Sequence, residues 1–143
     1  MGTLLPLMLA ACASSSGPSP QAADAQRASG SFQPSAGTAG LYIFKEGMLG
    51  GIVDSHRIIL DGLDLGMVAP NSYLYTPLTP GTHSIVSGSS QVSLTVESGQ
   101  NYFVRQTPIF DSSGQIVAST VSVVSTEVGK HEVQKMQLAN FGH

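Results

Sequence analysis

The sequence predicts a mainly β fold: an antiparallel β-sandwich of about seven to nine strands with a short C-terminal helix, preceded by a disordered tether. Three observations carry this expectation. From Gly40 onward, short runs of β-branched and aromatic residues recur, with a turn signal about every ten residues. Little of helical period lies between them. From Ala13 to Thr38, by contrast, Ser, Ala, Gly, Pro and Gln dominate, and Phe32 is the only large apolar residue. Such a segment buries too little surface to offset its ordering entropy.

The elements follow in order. Leu41 to Phe44 is a short β-branched and aromatic run, ended by Lys45-Glu46-Gly47. Arg57 to Leu60 follows and closes on Asp61-Gly62, a strong hairpin dipeptide that calls for positive φ at Gly62. Leu65 to Val68 returns, and Pro70-Asn71-Ser72 breaks the run. Tyr73 to Thr76 leads to the turn at Pro80-Gly81, and His83 to Val86 is the next strand. Ser90 to Glu97 alternates cleanly, with Val92, Leu94 and Val96 on one face. Ser98-Gly99-Gln100 turns into Tyr102 to Gln106, and Asp111-Ser112-Ser113-Gly114 forms a loop before a last strand from Ile116 to Val124. A helix then runs from Thr126-Glu127 to about Leu138, with Glu132 and Lys135 on its polar side. Gly129 weakens it.

The 143 residues leave room for one small domain of about a hundred residues once the segment before Gly40 is set aside. Charged residues make up 10% of the chain and the net charge is −3, so no basic patch meets nucleic-acid phosphates. No apolar run is long or charge-free enough to span a bilayer.

The single cysteine ends the run Leu4-Leu5-Pro6-Leu7-Met8-Leu9-Ala10-Ala11-Cys12. A short apolar core followed by small residues fits a signal peptide, and Leu9-Ala10-Ala11-Cys12 resembles the lipobox of bacterial lipoproteins. That resemblance implies cleavage before Cys12 and acylation of its thiol and new amino terminus, leaving no thiol for a disulfide. Met1-Gly2-Thr3 lacks the basic residues that usually lead such a segment. Ala13 stands where an Asp signals inner-membrane retention in enteric lipoproteins, so the resemblance favours the outer membrane. Residues 13–38 then read as a tether with a reach of roughly 25–30 Å by random-coil scaling, and Phe32 as a loose apolar residue within it.

A second resemblance covers the folded part. Ile59-Leu60-Asp61-Gly62, Leu65-Gly66 and Leu78-Thr79-Pro80-Gly81-Thr82-His83 resemble the strand and turn pattern of PEGA-type surface domains. With Tyr102-Phe103-Val104-Arg105 and the helical tail, residues 40–138 resemble an uncharacterised, domain-of-unknown-function family of bacterial lipoproteins. It implies a β-sandwich and no catalytic residue. The resulting division is 1–11 signal peptide, 12–38 lipidated cysteine and linker, and 39–143 PEGA-like domain with its helix.

Candidate chemical residues each have a simpler reading. Asp61 and Asp64 flank Gly62 and are expected to serve the hairpin rather than a metal, so Asp61→Asn is expected to be nearly silent. Asp54-Ser55-His56 offers a carboxylate and an imidazole without a third ligand at useful spacing. His83 is expected at the domain edge, bonded to a carbonyl; His131 and His143 lie on the tail. No Gly-x-Ser-x-Gly elbow is present. Gly47-Met48-Leu49-Gly50-Gly51 lacks the Lys-Ser/Thr of a phosphate loop and reads as a mobile surface loop.

Arg105 is the one charge inside an aromatic strand. It is the candidate binding residue, for a ligand carboxylate or phosphate, against the simpler expectation of a pair with Glu97 on a neighbouring strand. No catalytic residue, metal site or cofactor is expected. The function expected is a lipid-anchored envelope protein, held at the outer membrane and facing the periplasm, whose β-sandwich is a non-catalytic binding or structural module, its partners the membrane and another envelope protein. The alternative is an accessory lipoprotein of a secretion, pilus or flagellar assembly, and a wall hydrolase comes third.

Overall fold

A computed structural model of the chain describes Gly2 and residues 30–47 and 56–138. The strands are β1 (Ala39–Lys45), β2 (Arg57–Leu60), β3 (Leu63–Met67), β4 (Ser72–Leu78), β5 (Gly81–Ser87), β6 (Ser90–Val96), β7 (Asn101–Phe110) and β8 (Ile116–Val124). Helix α1 (Thr126–Val133) follows, then a two-residue strand, β9 (Gln137–Leu138). One sheet has the order β8-β7-β1-β4-β9 and the other β3-β2-β5-β6. The chain is a mainly β sandwich, as its sequence predicts.

Turn chemistry sets the hairpins. Asp61 (φ 50) and Gly62 (φ 83) both lie in the left-handed region, the requirement of the mirror-image turn whose twist matches that of the strands it joins. β2 and β3 then pair through a bulge in β3: Ile58 faces Gly66 and Ile59 faces Asp64, which leaves Leu65 as the extra residue. At Pro70-Asn71 the chain reverses through positive φ at Asn71, a residue that tolerates it.

β1 lies at the centre of the larger sheet, and all seven of its residues are buried. Its alternation divides two cores. Ala39, Leu41 and Ile43 face the second sheet and pack with Leu74, Leu78 and Val104 of their own sheet and Ile58, Leu60, Ile85, Leu94 and Val96 of the other. Tyr42 and Phe44 face outward into an aromatic cluster with Tyr73, Tyr75, Phe103 and Val133 of α1. The molecule therefore has three layers: sheet, sheet, and a thin cover of helix. Each fully buried aliphatic or aromatic side chain contributes roughly 1.5–3 kcal/mol.

Three expectations change. The pairing is not antiparallel throughout, because β1–β7 and β4–β9 run parallel. A strand covered on both faces reads as a continuous apolar run, and Leu41-Tyr42-Ile43-Phe44 is one. The helix stops at Val133 rather than near Leu138, and Gln137–Leu138 joins β4 instead.

The folded part also begins earlier than residue 39. Phe32 is no loose residue of a tether. Its ring lies 5.4 Å from that of Tyr42 and 6.1 Å from that of Phe103, Lys130 Nζ stands 5.5 Å above it, and Asn101 Nδ2 donates to its carbonyl at 2.6 Å. An eight-residue helix is too short to cover the outer face of the sheet, and Phe32 packs on that face together with Val124, Met136 and Leu138. Cys12, residues 13–29, Met48 to Ser55 and His143 lie outside the described residues.

Candidate functional site

Arg105 sits where β1 ends beside β7. The parallel register places it opposite Phe44, and its guanidinium lies 5.6 Å from the Phe44 ring centre. Glu46, two residues beyond Phe44, is on the same side, and its Oε1 accepts from Arg105 Nη2 at 3.2 Å. Arg105 Nε is buried without a hydrogen-bond partner among the described residues. Arg105 is 32% exposed and Glu46 is 53% exposed, so the cation is the better fixed of the two.

The expected pair with Glu97 does not form. β6 and β7 belong to different sheets, and the Glu97 amide donates instead to Tyr102 Oη at the opposite end of β7. A cavity of about 160 Å³ opens beside Arg105, lined by Glu46, Gly47, Gln106, Thr107, Pro108 and Phe110.

The two hairpin carboxylates face different partners. Asp61 accepts from the Ser84 amide at 2.8 Å and meets His83 Nδ1 at 2.5 Å, while His83 Nε2 lies 2.7 Å from the Thr79 carbonyl. With an acceptor at each ring nitrogen, His83 satisfies both only as the imidazolium. The Asp61 carboxylate, then the Thr79 carbonyl, accordingly raise the His83 pKa. The His83 hydrogen bond and the Ser84 amide lower that of Asp61. Asp64 accepts from Arg57 Nε at 2.6 Å and from the Gly66 amide at 2.8 Å, and these contacts, Arg57 first, lower its pKa.

A third polar group lies between the sheets. Gln106, 1% exposed, donates through Nε2 to Ser87 Oγ at 2.7 Å and to the His56 carbonyl at 3.2 Å. Ser87 Oγ in turn donates to Ser119 Oγ at 3.2 Å. A carbonyl only accepts, so the His56 oxygen fixes which way the Gln106 amide is turned. Its Oε1 is buried without a partner among the described residues, at a cost of about 1–3 kcal/mol for an unsatisfied polar atom.

A family described as a protein of unknown function, DUF2846, matches residues 35–133. The chain belongs to the DUF2846 family. It is also 30% identical over 138 residues to an uncharacterised protein of Haemophilus influenzae, covering 93% of this chain and 79% of that one. The DUF2846 span contains Asp61, His83, Arg105 and Gln106, and it begins after Phe32.

Within the DUF2846 fold the described residues bring together no three His, Cys, Asp or Glu side chains able to hold a metal. Asp61 joins His83, which sequence reasoning kept apart; both the turn role of Asp61 and the carbonyl bond of His83 are present beside that contact. His131 pairs with Glu132 on the exposed face of α1. The Gln106–Ser87–Ser119 group was missed. Gln106 continues an aromatic strand and Ser87 and Ser119 interrupt β-branched ones, but a polar residue at an inward position does not name its partner on another strand.

Proposed function

We propose that this DUF2846 protein is a lipid-anchored component of the cell envelope whose β-sandwich is a non-catalytic binding or structural module, held at the outer membrane and facing the periplasm. The observation that carries the reading is Leu9-Ala10-Ala11-Cys12 at the end of an apolar stretch, followed by a segment rich in small and polar residues that leads into the folded domain. Two acyl groups on Cys12 give stable membrane attachment, because each buried methylene contributes about 0.8 kcal/mol and one chain alone binds reversibly. The PEGA-like pattern of Asp61-Gly62 and Pro80-Gly81 fits the same surface role.

Support for binding rather than catalysis comes from what the ionisable groups do. Asp64 and Asp111 each hold a turn through backbone amides, and Asp61 ties its turn to β5 through the Ser84 amide and His83. Arg105, the charge singled out in the sequence, stands at a cavity.

Cys12→Ser tests the anchor. It is expected to leave the protein soluble or unprocessed, read by fractionation and by mass of the mature chain. A Cys12→Ser protein that still sediments with membranes after a high-salt wash, at the mature mass, overturns the reading.

A further inference from the structure

We propose that the notch beside Arg105 receives the C-terminal carboxylate of an extended peptide laid along β7, an inference that rests on the binding-module reading above. The first observation is a gap in the larger sheet. β7 runs ten residues, yet β1 pairs only with its first half, from Gly40 opposite Asn101 to Phe44 opposite Arg105. Among the described residues no strand pairs with β7 on that side past Arg105.

The second observation is the direction of the backbone there. The Val121 amide donates to Ser90 Oγ and so points away from β7, and Val121 pairs with Gln106. Val121 and Gln106 are thus a non-hydrogen-bonded pair of the antiparallel ladder, in which each residue turns its backbone groups away from the other. Gln106 therefore directs its backbone groups to the β1 side, and Pro108, two residues on, does likewise. Pro108 has a carbonyl and no N–H, and proline is tolerated inside a strand where the ladder is open. At Pro108 this edge offers only an acceptor, and an extended peptide has amides to give it.

The third observation selects the chain end. A segment continuing the line of β1 must stop against Glu46 and Gly47, which line the same cavity as Arg105. The Nε–Nη2 side of a guanidinium matches the two oxygens of a carboxylate. Glu46 uses one of these nitrogens through a single contact, and Nε has no partner among the described residues. Arg105 lies over the Phe44 ring and is the less exposed of the two, whereas Glu46 is more than half exposed and can turn into solvent. The better-held charge is positive, so the carboxyl end is the one that fits. The volume agrees: about 160 Å³ is below the roughly 300–1,000 Å³ of sites for whole small molecules, and suits the tip of a chain.

The test uses the 15N-labelled full chain and two probes, N-acetyl-trialanine with a free carboxylate and the same peptide as its C-terminal amide. The acid is expected to shift the Glu46, Gly47 and Thr107 amide resonances, and the amide to bind about tenfold more weakly or worse, the loss of a charge-assisted pair. Arg105→Lys keeps the charge without the fork and is expected to weaken the acid similarly, with an unchanged melting temperature reporting an intact fold. Glu46→Gln is expected to bind the acid at least as well as the wild type. Equal binding of acid and amide, undiminished binding by folded Arg105→Lys, or no shift at millimolar peptide overturns the proposal. Membrane fractionation of Arg105→Lys keeps the two readings apart: the notch fails alone if the protein is still lipid-anchored.

Discussion

At the residue scale, the Asp61–His83 contact shows how a turn carboxylate acquires a second task. Asp61-Gly62 needs only a residue at ease with positive φ, and Asn meets that need. The fold, however, brings His83 of β5 under the same carboxylate, so Asp61→Asn is expected to have a measurable effect. It keeps an acceptor for the Ser84 amide and loses the charge that holds the imidazolium. The loss is about 1 kcal/mol or less, given a half-exposed carboxylate screened by solvent, read as a drop of up to several degrees in melting temperature. The pH dependence has a defined sign. His83 has a raised pKa in the fold, so its contribution is complete below the unfolded value and declines as pH rises through the folded one. Asp61 has a lowered pKa, so its share is present above the unfolded value and is lost as pH falls through the folded one. Stability curves of wild type and His83→Gln should therefore converge at alkaline pH and separate near pH 5–6. Parallel curves across that range would remove the ion pair from the account.

At the element scale, α1 depends on the residue that weakens it as a helix. Ser125 caps it, accepting from the Val128 amide at 3.3 Å, and Val133 anchors its last turn in the aromatic cluster. Gly129 faces the sheet, and a β-carbon there would stand inside the Phe103 ring and its Cβ. Intrinsic propensity favours Gly129→Ala by about 1 kcal/mol. The clash opposes it by about 1–3 kcal/mol of overpacking, because Phe103 is fixed between Tyr42 and Phe32. Gly129→Ala should lower the melting temperature, and the double variant with Phe103→Leu should recover part of the loss. A stabilised Gly129→Ala would show that the helix stands off the sheet. Gly129 was legible only as a helix defect, since propensity is local and the Phe103 ring arrives from another strand.

At the scale of the whole molecule, the outer layer is completed by residues that composition assigns to a tether. Phe32 adopts φ 53, a conformation that disfavours a side chain by roughly 1–2 kcal/mol, and its ring contacts with Tyr42 and Phe103 offset that. Phe32→Ala should cost about 2 kcal/mol, below the range for fully buried aromatics because the ring is half-buried. Removing the chain through Thr38 should likewise lower the melting temperature by several degrees, where a loose tether predicts no change. Calorimetry of the full chain and both variants decides between them.

What the sequence by itself determined is the set of elements and their turns. Alternation such as Val92, Leu94, Val96 and dipeptides such as Asp61-Gly62 act within a few residues, so their meaning survives without a partner. The sandwich, eight of its strands and the positive φ at Gly62 follow from that. The candidate site was half legible: Arg105 stood out as a charge in an aromatic strand, but its neighbour did not. Which strands lie side by side is decided by how the two sheets bury their faces, and the tertiary structure alone set β1 parallel to β7. That one choice puts Glu46 rather than Glu97 against Arg105, leaves the second half of β7 without a partner from β1, and lays Phe32 over Tyr42. A sequence records which side chains seek burial; only the closed packing of three layers decides which of them meet.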